Sequence, residues 1–330
     1  MKQKKILITG GAGFIGHHLI EFFLKNTQYE ITSLDRLDFA GSYKRISQII
    51  KNNDKWKKRI KIVWHDLRAE INPIVEKQIS KPDIILHVAA ASHVDRSIKD
   101  PMSFVLDNVV GTVNILNYAK RLKKLQQFLY FSTDEVFGPA PKNIKYEEND
   151  RYNSGNPYAA SKAGAEEMCV AYANTYKLPI LITHTMNVIG ERQHPEKYLP
   201  KIINSLIRGK TLTIHSNKNR TKAGSRFYIH AQDVADAINF IIKKGKIGEK
   251  YNIVGAKEID NLELAKIVSN YIHKKLKYKF VDFHSSRPGH DLRYAISGKK
   301  LEKMGWKPKK DIENRIRDTV NWTLKNKDWF

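Results

Sequence analysis

The chain has 330 residues, 41% of them hydrophobic, enough to bury a core of two domains or of one large domain with an annex. No run approaches the ~18 apolar residues of a membrane span, and a single cysteine, Cys169, excludes an intrachain disulfide framework. The net charge of +24 raises nucleic acid as a partner, but the lysines are scattered over loops and helix ends without zinc-finger spacing or a stacking-aromatic module, so no nucleic-acid function is expected.

A cytoplasmic location is the expectation, with no membrane partner. The basic start, Met1 to Lys5, precedes an apolar segment too short for a signal-peptide core, and the fold is expected to begin at Ile6. The positive charge suits attraction of polyanions in general, a nucleoside diphosphate included.

In chain order, residues 5–9 read as a first strand, 17–24 as a helix with apolar positions at helical spacing, 31–34 as strand two and 60–64 as strand three. A helix starts at 73–78; strand four covers 84–88, a long helix 108–123, strand five 128–132, a helix 159–176 and a further strand 180–183. Strands that are apolar on both faces and alternate with helices predict a mostly parallel sheet covered on both sides. The second half predicts helices over 200–208, 231–243 and 261–272, strands over 211–214, 251–253 and 280–283, a polar loop over 217–224, and closing segments 298–306 and 312–326. The expected fold class is α/β: a Rossmann-type doubly wound parallel sheet over 1–190, then a smaller α/β substrate-binding cap over 191–330, with segments around 226–256 returning to the first domain.

Between strand one and its helix stands Thr9-Gly10-Gly11-Ala12-Gly13-Phe14-Ile15-Gly16. In this setting each glycine has its own role. Gly10 makes the tight turn, Gly13 lets backbone approach a pyrophosphate, and Gly16 lets helix and strand pack closely. The pyrophosphate would sit at the helix N-terminus. Asp35 closes strand two, where a carboxylate bonds the adenosine ribose and repels a 2′-phosphate, which favours NAD over NADP; the neighbouring Arg36 pulls the other way. Asp66 and Leu67 are placed to bracket the adenine, and Phe14, Ile15, Ala89, Tyr158 and Lys162 complete the cofactor-binding set.

Strand five ends in Ser132-Thr133-Asp134-Glu135, at the carboxyl side of the sheet. Tyr158 and Lys162, four apart, share a helical face. An ammonium beside a phenol favours the phenolate, which would make Tyr158 a base for a sugar hydroxyl while NAD takes the hydride. Asp134 and Glu135 add an acid and a base, as removal of water from a sugar requires.

These residues resemble the extended short-chain dehydrogenase/reductase family and, within it, the nucleotide-sugar 4,6-dehydratases. The likeness rests on the glycine motif at 10–16, His93-Val94-Asp95-Arg96-Ser97, Thr133-Asp134-Glu135-Val136-Phe137-Gly138, Pro157-Tyr158-Ala159-Ala160-Ser161-Lys162-Ala163, Pro195-Glu196-Lys197, and Arg287 to Tyr294. The resemblance implies oxidation at C4 with Tyr158 as base and Thr133 on the C4 oxygen, removal of the C5 proton by Glu135, protonation of the C6 hydroxyl by Asp134, and return of hydride to C6, with no metal. It also implies substrate contacts from Ser92, Asn187, Glu196, Lys197, Arg226, Asn261, Arg287 and His290, and a homodimer paired through 108–123 and 159–176.

Several positions depart from the bacterial dTDP-glucose enzymes: Ala91, the run His184-Thr185-Met186-Asn187, the longer loop at 217–225, His215 and His230. These departures bear on the base, and the runs Lys162 to Glu166 and Lys246 to Glu249, before Tyr251-Asn252, resemble more closely the eukaryotic UDP-glucose dehydratases that feed UDP-rhamnose synthesis, so UDP-glucose is the favoured substrate and dTDP-glucose the other. The rival enzymes on this frame are a nucleotide-sugar 4-epimerase and a UDP-glucuronate decarboxylase, neither of which needs Asp134 and Glu135 together.

Overall fold

The computed structural model describes residues 3–283 and 292–329. Its first strand, β1 (Lys5–Thr9), is followed by β2 (Glu30–Asp35), β3 (Ile60–Trp64), β4 (Ile84–His87), β5 (Gln127–Thr133) and β6 (Ile180–Thr185). With Lys250–Ile253 they form a seven-stranded sheet in the order Lys250–Ile253, β6, β5, β4, β1, β2, β3. β1 pairs in parallel with β2 and β4, and β2–β3 and β4–β5 are parallel as well. The chain order reverses beside β1, so the carboxyl ends of β1 and β4 flank the crevice where such sheets receive ligands. Ile6, Leu7, Ile8, Ile85, Leu86, Phe128, Leu129 and Tyr130 are buried, as a sheet covered on both faces demands.

Two compact units emerge from the internal contacts. The first comprises residues 1–136, 156–184 and 238–251, and the second 137–155, 185–237 and 252–330. Beside the expected division at 190 with a return around 226–256, residues 137–155 and 185–190 cluster with the second unit, and of the chain after 190 the segment 238–251 clusters with the first. The core of the second unit is built from Leu199, Ile202, Ile203, Leu206, Ile214, Leu264, Val268, Ile316 and Val320. It carries a parallel pair, Leu212–Ser216 with Tyr278–Asp282, and an antiparallel pair, Ser225–Phe227 with Glu258–Asp260.

The expected helix over 108–123 begins earlier. Pro101–Phe104 is helical, Val105–Val110 forms a π-helical turn, and Gly111–Lys120 continues as α-helix. Such turns gather at functional positions. This one carries the buried Asn108, whose side chain accepts from the Ala91 amide (2.8 Å) and donates to the Ala91 carbonyl (3.1 Å) and the Ser161 hydroxyl (2.8 Å).

Candidate active site

At the end of β1 the Thr9 hydroxyl meets His87 Nδ1 at 2.7 Å and accepts from the Val88 and Ala89 amides, both at 3.2 Å. His87 Nε2 meets Thr112 Oγ1 at 2.9 Å, and burial holds this imidazole neutral, its pKa pushed down to about 3. This buried network sets Ala89 against the glycine turn. Gly10 has φ +69°, and a Cβ there would stand 2.8 Å from the Ala89 Cα, so both its backbone and its neighbour exclude a side chain. A Cβ on Gly16 would collide with the Gly10 carbonyl oxygen, so the helix rests directly on the turn.

The helix Phe14–Asn26 starts at Gly13 with no side-chain cap and no acidic residue in its first turn. Its first N–H groups therefore fit an anionic ligand, as a dinucleotide pyrophosphate would be. Phe14 and Ile15 open this helix, half-buried. Asp35 is buried at the end of β2; its Oδ2 accepts from the Ala12 amide (3.0 Å) and its Oδ1 from the Leu37 amide (2.8 Å). Each oxygen has a second lone pair for a ribose hydroxyl. Burial is the largest influence on this carboxyl and raises its pKa, against the two amide bonds that lower it. Asp66 is engaged by Arg68, whose Nε lies 2.9 Å from Oδ2, and the Leu67 carbonyl accepts from Asn114 at 2.7 Å.

The chemical end lies within the same unit. β5 delivers Thr133, and a 3-10 turn, Asp134–Phe137, follows at once. The helix Pro157–Tyr176 begins with an Asn-Pro signal: the Asn156 side chain accepts from the Ala159 amide at 2.9 Å, and Pro157 occupies the first turn, where its missing N–H costs nothing. Ser97 Oγ accepts from the Tyr158 amide at 3.1 Å, and the Tyr158 ring packs edge-on against Phe104 with centroids 6.3 Å apart.

The fold brings Thr133, Asp134, Glu135 and Tyr158 together. The Tyr158 phenol bonds with the Thr133 hydroxyl, which also donates to Asp134 Oδ1 at 3.1 Å. Glu135 Oε2 accepts from Asn156 Nδ2 at 3.3 Å.

Here the structure corrects one expectation. Burial, reinforced by the charges of Glu135 and Asp134, pushes the Tyr158 phenol well above its ordinary range; only the bond with Thr133 works downward. The Lys162 ammonium does share the helical face, but it donates to the Phe131 carbonyl (2.5 Å) and sits 4.3 Å from the centre of the Tyr130 ring. Burial pulls Lys162 itself down to about 8, against the nearby Cys169 and Glu166. Spacing along the chain foretold the shared face but not the partner, because a lysine stem reaches whichever acceptor the sheet offers.

One turn further along, the fully buried Glu166 meets His184 Nε2 at 3.1 Å and the Lys250 ammonium at 3.0 Å. Cys169 is buried and pushed up by burial and by Glu166, an inert thiol.

Ser92 belongs to the first unit and is exposed. The remaining candidates belong to the second. Asn261 is linked to both tyrosines beside it: its carbonyl accepts from Tyr198 (2.8 Å) and its side-chain oxygen from Tyr228 (2.7 Å). Tyr198 opens the helix Tyr198–Ile207 that Lys197 precedes, and Glu196 lies 3.8 Å from His194. Arg226 donates to the Ser225 (2.7 Å) and Leu292 (2.9 Å) carbonyls and stacks over Tyr294. Asn187 is exposed, its carbonyl accepting from the Ile229 amide. Arg287 and His290 lie outside the described residues.

Asn156 and Asn108 escaped sequence reasoning. The Asn-Pro pair before the helix was a legible cap signal; nothing local marked Asn108.

A parallel dinucleotide-type sheet, a glycine turn at its first crossover and a helix bearing Tyr158 and Lys162 define an extended short-chain dehydrogenase/reductase. The chain belongs to the family described as GDP-mannose 4,6 dehydratase, whose model matches residues 7–319. It is 36% identical to a dTDP-glucose 4,6-dehydratase from Salmonella typhimurium, covering 98% of this chain and 94% of that protein. A dTDP-D-glucose 4,6-dehydratase from Dictyostelium discoideum is 35% identical over 99% of this chain and 83% of its own length. Among solved structures, the dTDP-glucose 4,6-dehydratase DesIV from Streptomyces venezuelae, with NAD bound, superposes with a TM-score of 0.89 at 32% identity, over 99% of this chain and 98% of that one.

Proposed function

We propose that this protein converts dTDP-glucose to the 4-keto-6-deoxyglucose nucleotide and water, with NAD as a regenerated cofactor. The observation that carries this reading is the gathering of the buried Thr133 and Asp134 and the half-buried Glu135 about the buried Tyr158. An epimerase has no use for the acid pair. The departures at His184 to Asn187, His215 and His230 favoured uridine; the dehydratase relatives are dTDP-glucose enzymes, and thymidine is therefore the base in this proposal.

NAD, when bound, supplies a hydride acceptor for C4 and a hydride donor for C6. The glycine turn and the open N-terminus of the helix at Phe14 are suited to hold its pyrophosphate, and Asp35 its adenosine ribose. Tyr158, as the phenolate that the positive charge of bound NAD would favour against its burial, accepts the proton of the C4 hydroxyl while Thr133 bonds that oxygen. The C4 ketone acidifies the C5 hydrogen, and Glu135 takes it as a proton. Asp134 gives a proton to the C6 hydroxyl, which leaves as water, and Glu135 returns a proton to C5. Lys162 fixes the floor of the site through Phe131. Lys197, Arg226 and Asn261 are the donors assigned to the diphosphate and base, with Ser92, Asn187, Glu196, Arg287 and His290 completing the assigned substrate set.

The same reading includes a cytoplasmic homodimer. Met102 (63% exposed), Val105 and Leu106 stand in water at the start of the expected pairing helix, and Tyr176 at the end of the other. Sedimentation at micromolar concentration should give twice the chain mass; a strict monomer would remove the dimer. For the activity, dTDP-glucose and UDP-glucose offered side by side should both yield products lighter by one water. The thymidine nucleotide should be preferred, by ~1–3 kcal/mol at most since only a methyl group separates the bases. Recovery of a C4 epimer of unchanged mass would overturn the assignment.

A further inference from the structure

At the end of β2 the sequence offers two contradictory signals. Asp35 is the carboxylate that selects a ribose hydroxyl, and Arg36 is the guanidinium that would accommodate a 2′-phosphate. The structure shows how Arg36 is occupied. Its Nη1 and Nη2 donate to the two oxygens of Asp107 at 2.6 and 2.8 Å, and its Nε donates to Asp38 at 2.7 Å. This is a bidentate, charge-assisted pair, the strongest geometry a guanidinium makes with a carboxylate. The Asp107 side chain is only 10% exposed and raises the Arg36 pKa further, chiefly through those hydrogen bonds.

Asp107 lies far along the chain, in the π-helical turn Val105–Val110, and the next residue, Asn108, pins that turn to Ala91 and Ser161. The carboxylate is therefore held in place. Neighbouring guanidiniums are engaged too: Arg45 donates to the Ala12 (3.0 Å) and Ala40 (2.6 Å) carbonyls, and Arg68 to Asp66.

We infer that Asp107 is a specificity-determining residue: by capturing Arg36 it withholds the counter-ion that the 2′-phosphate of NADP would need, and so closes the site to NADP. This rests on the reading of Asp35 and the glycine turn as a dinucleotide site. Asp38 shares the guanidinium, its Oδ2 standing 2.7 Å from both Nε and Nη2, so Nη1 is the nitrogen whose hydrogen bond goes to Asp107 alone and the one that D107A sets free for a phosphate.

The test uses the purified full-length protein, incubated with NAD and NADP at equal concentration, washed and denatured, with the released cofactors quantified by mass spectrometry. The parent should release NAD. D107A should raise the NADP-to-NAD ratio by roughly 10–100-fold, the range for freeing a hydrogen bond to a charged partner. D107N, which keeps the side-chain volume, should move it in the same direction, and serves if D107A does not fold. In the double variant R36A/D107A the gain should vanish, because the phosphate's partner is gone. A ratio within about two-fold of the parent in both single variants, or a gain that survives loss of Arg36, overturns the inference. A parent that itself releases NADP, or neither cofactor, overturns the NAD reading instead.

Discussion

Asn156 donates its side-chain amide to Glu135 Oε2 at 3.3 Å while its side-chain oxygen accepts the Ala159 amide at 2.9 Å, so one residue ties the carboxylate assigned to C5 to the helix that carries Tyr158. Asn156→Asp keeps an equally good helix cap but replaces the donor facing Glu135 with a second carboxylate. Loss of a hydrogen bond to a charged group, worth about 1.5–3 kcal/mol, should slow C5 hydrogen exchange with solvent by roughly 10–100-fold while bound NAD is still reduced. Exchange at the parent rate would show that the contact does not tune Glu135.

The three assigned roles separate by substitution. Tyr158→Phe should stop the first oxidation, so that bound NAD keeps its oxidised spectrum when sugar is added. Glu135→Gln should permit cofactor reduction but suppress C5 exchange. Asp134→Asn should permit both and slow departure of the C6 hydroxyl. General acid–base contributions of ~10²–10⁴-fold each set the scale of the losses. If Glu135→Gln exchanges deuterium as fast as the parent, the base is another group.

Lys162 gives a pH-dependent prediction. Its pKa falls from 10.5 to about 8 on folding, so between those values the unfolded chain binds more protons than the folded one, and the stability contributed by this group rises with pH. Below pH 8 the buried ammonium costs stability on the order of 3 kcal/mol. Lys162→Met should therefore melt at a higher temperature than the parent at pH 7, and the gap should narrow as pH rises from about 8 to 10. A gap that widens over that range would contradict the sign.

Gly16→Ala drives a methyl group into the Gly10 carbonyl. The helix must then move away from the turn, and the purified variant should carry far less NAD than the parent, measured after denaturation and extraction. Full cofactor content would mean that the turn tolerates displacement.

Where a residue's role depends on its own strand or turn, it could be read from the sequence. β1 with its glycine turn, Asp35 at the close of β2 and Thr133 at the close of β5 stand where alternation and glycine spacing put them. Strands of two or three residues, such as Val188–Ile189 and Glu258–Asp260, carry too little periodicity to be seen. Contacts between distant segments were equally hidden. That Lys162 would reach Phe131, or that Arg36 would meet a carboxylate from a π-helical turn, depends on how sheet and helix stack. The return of 238–251 to the first unit was anticipated only as a broader segment, whereas the departure of 137–155 had no local signal.

The chain leaves the first unit directly after Val136 and rejoins it at Asn156, the residue that grips Glu135. Residues 137–155 are no free loop: Phe137 is buried, the Ala140 and Tyr146 amides donate to the Arg293 and Ala295 carbonyls, and Glu148 accepts from the Asn252 amide. The covalent neighbour of the acid pair is thus part of the second unit's own scaffold, and a change in the length of 137–155 would first have to break those bonds.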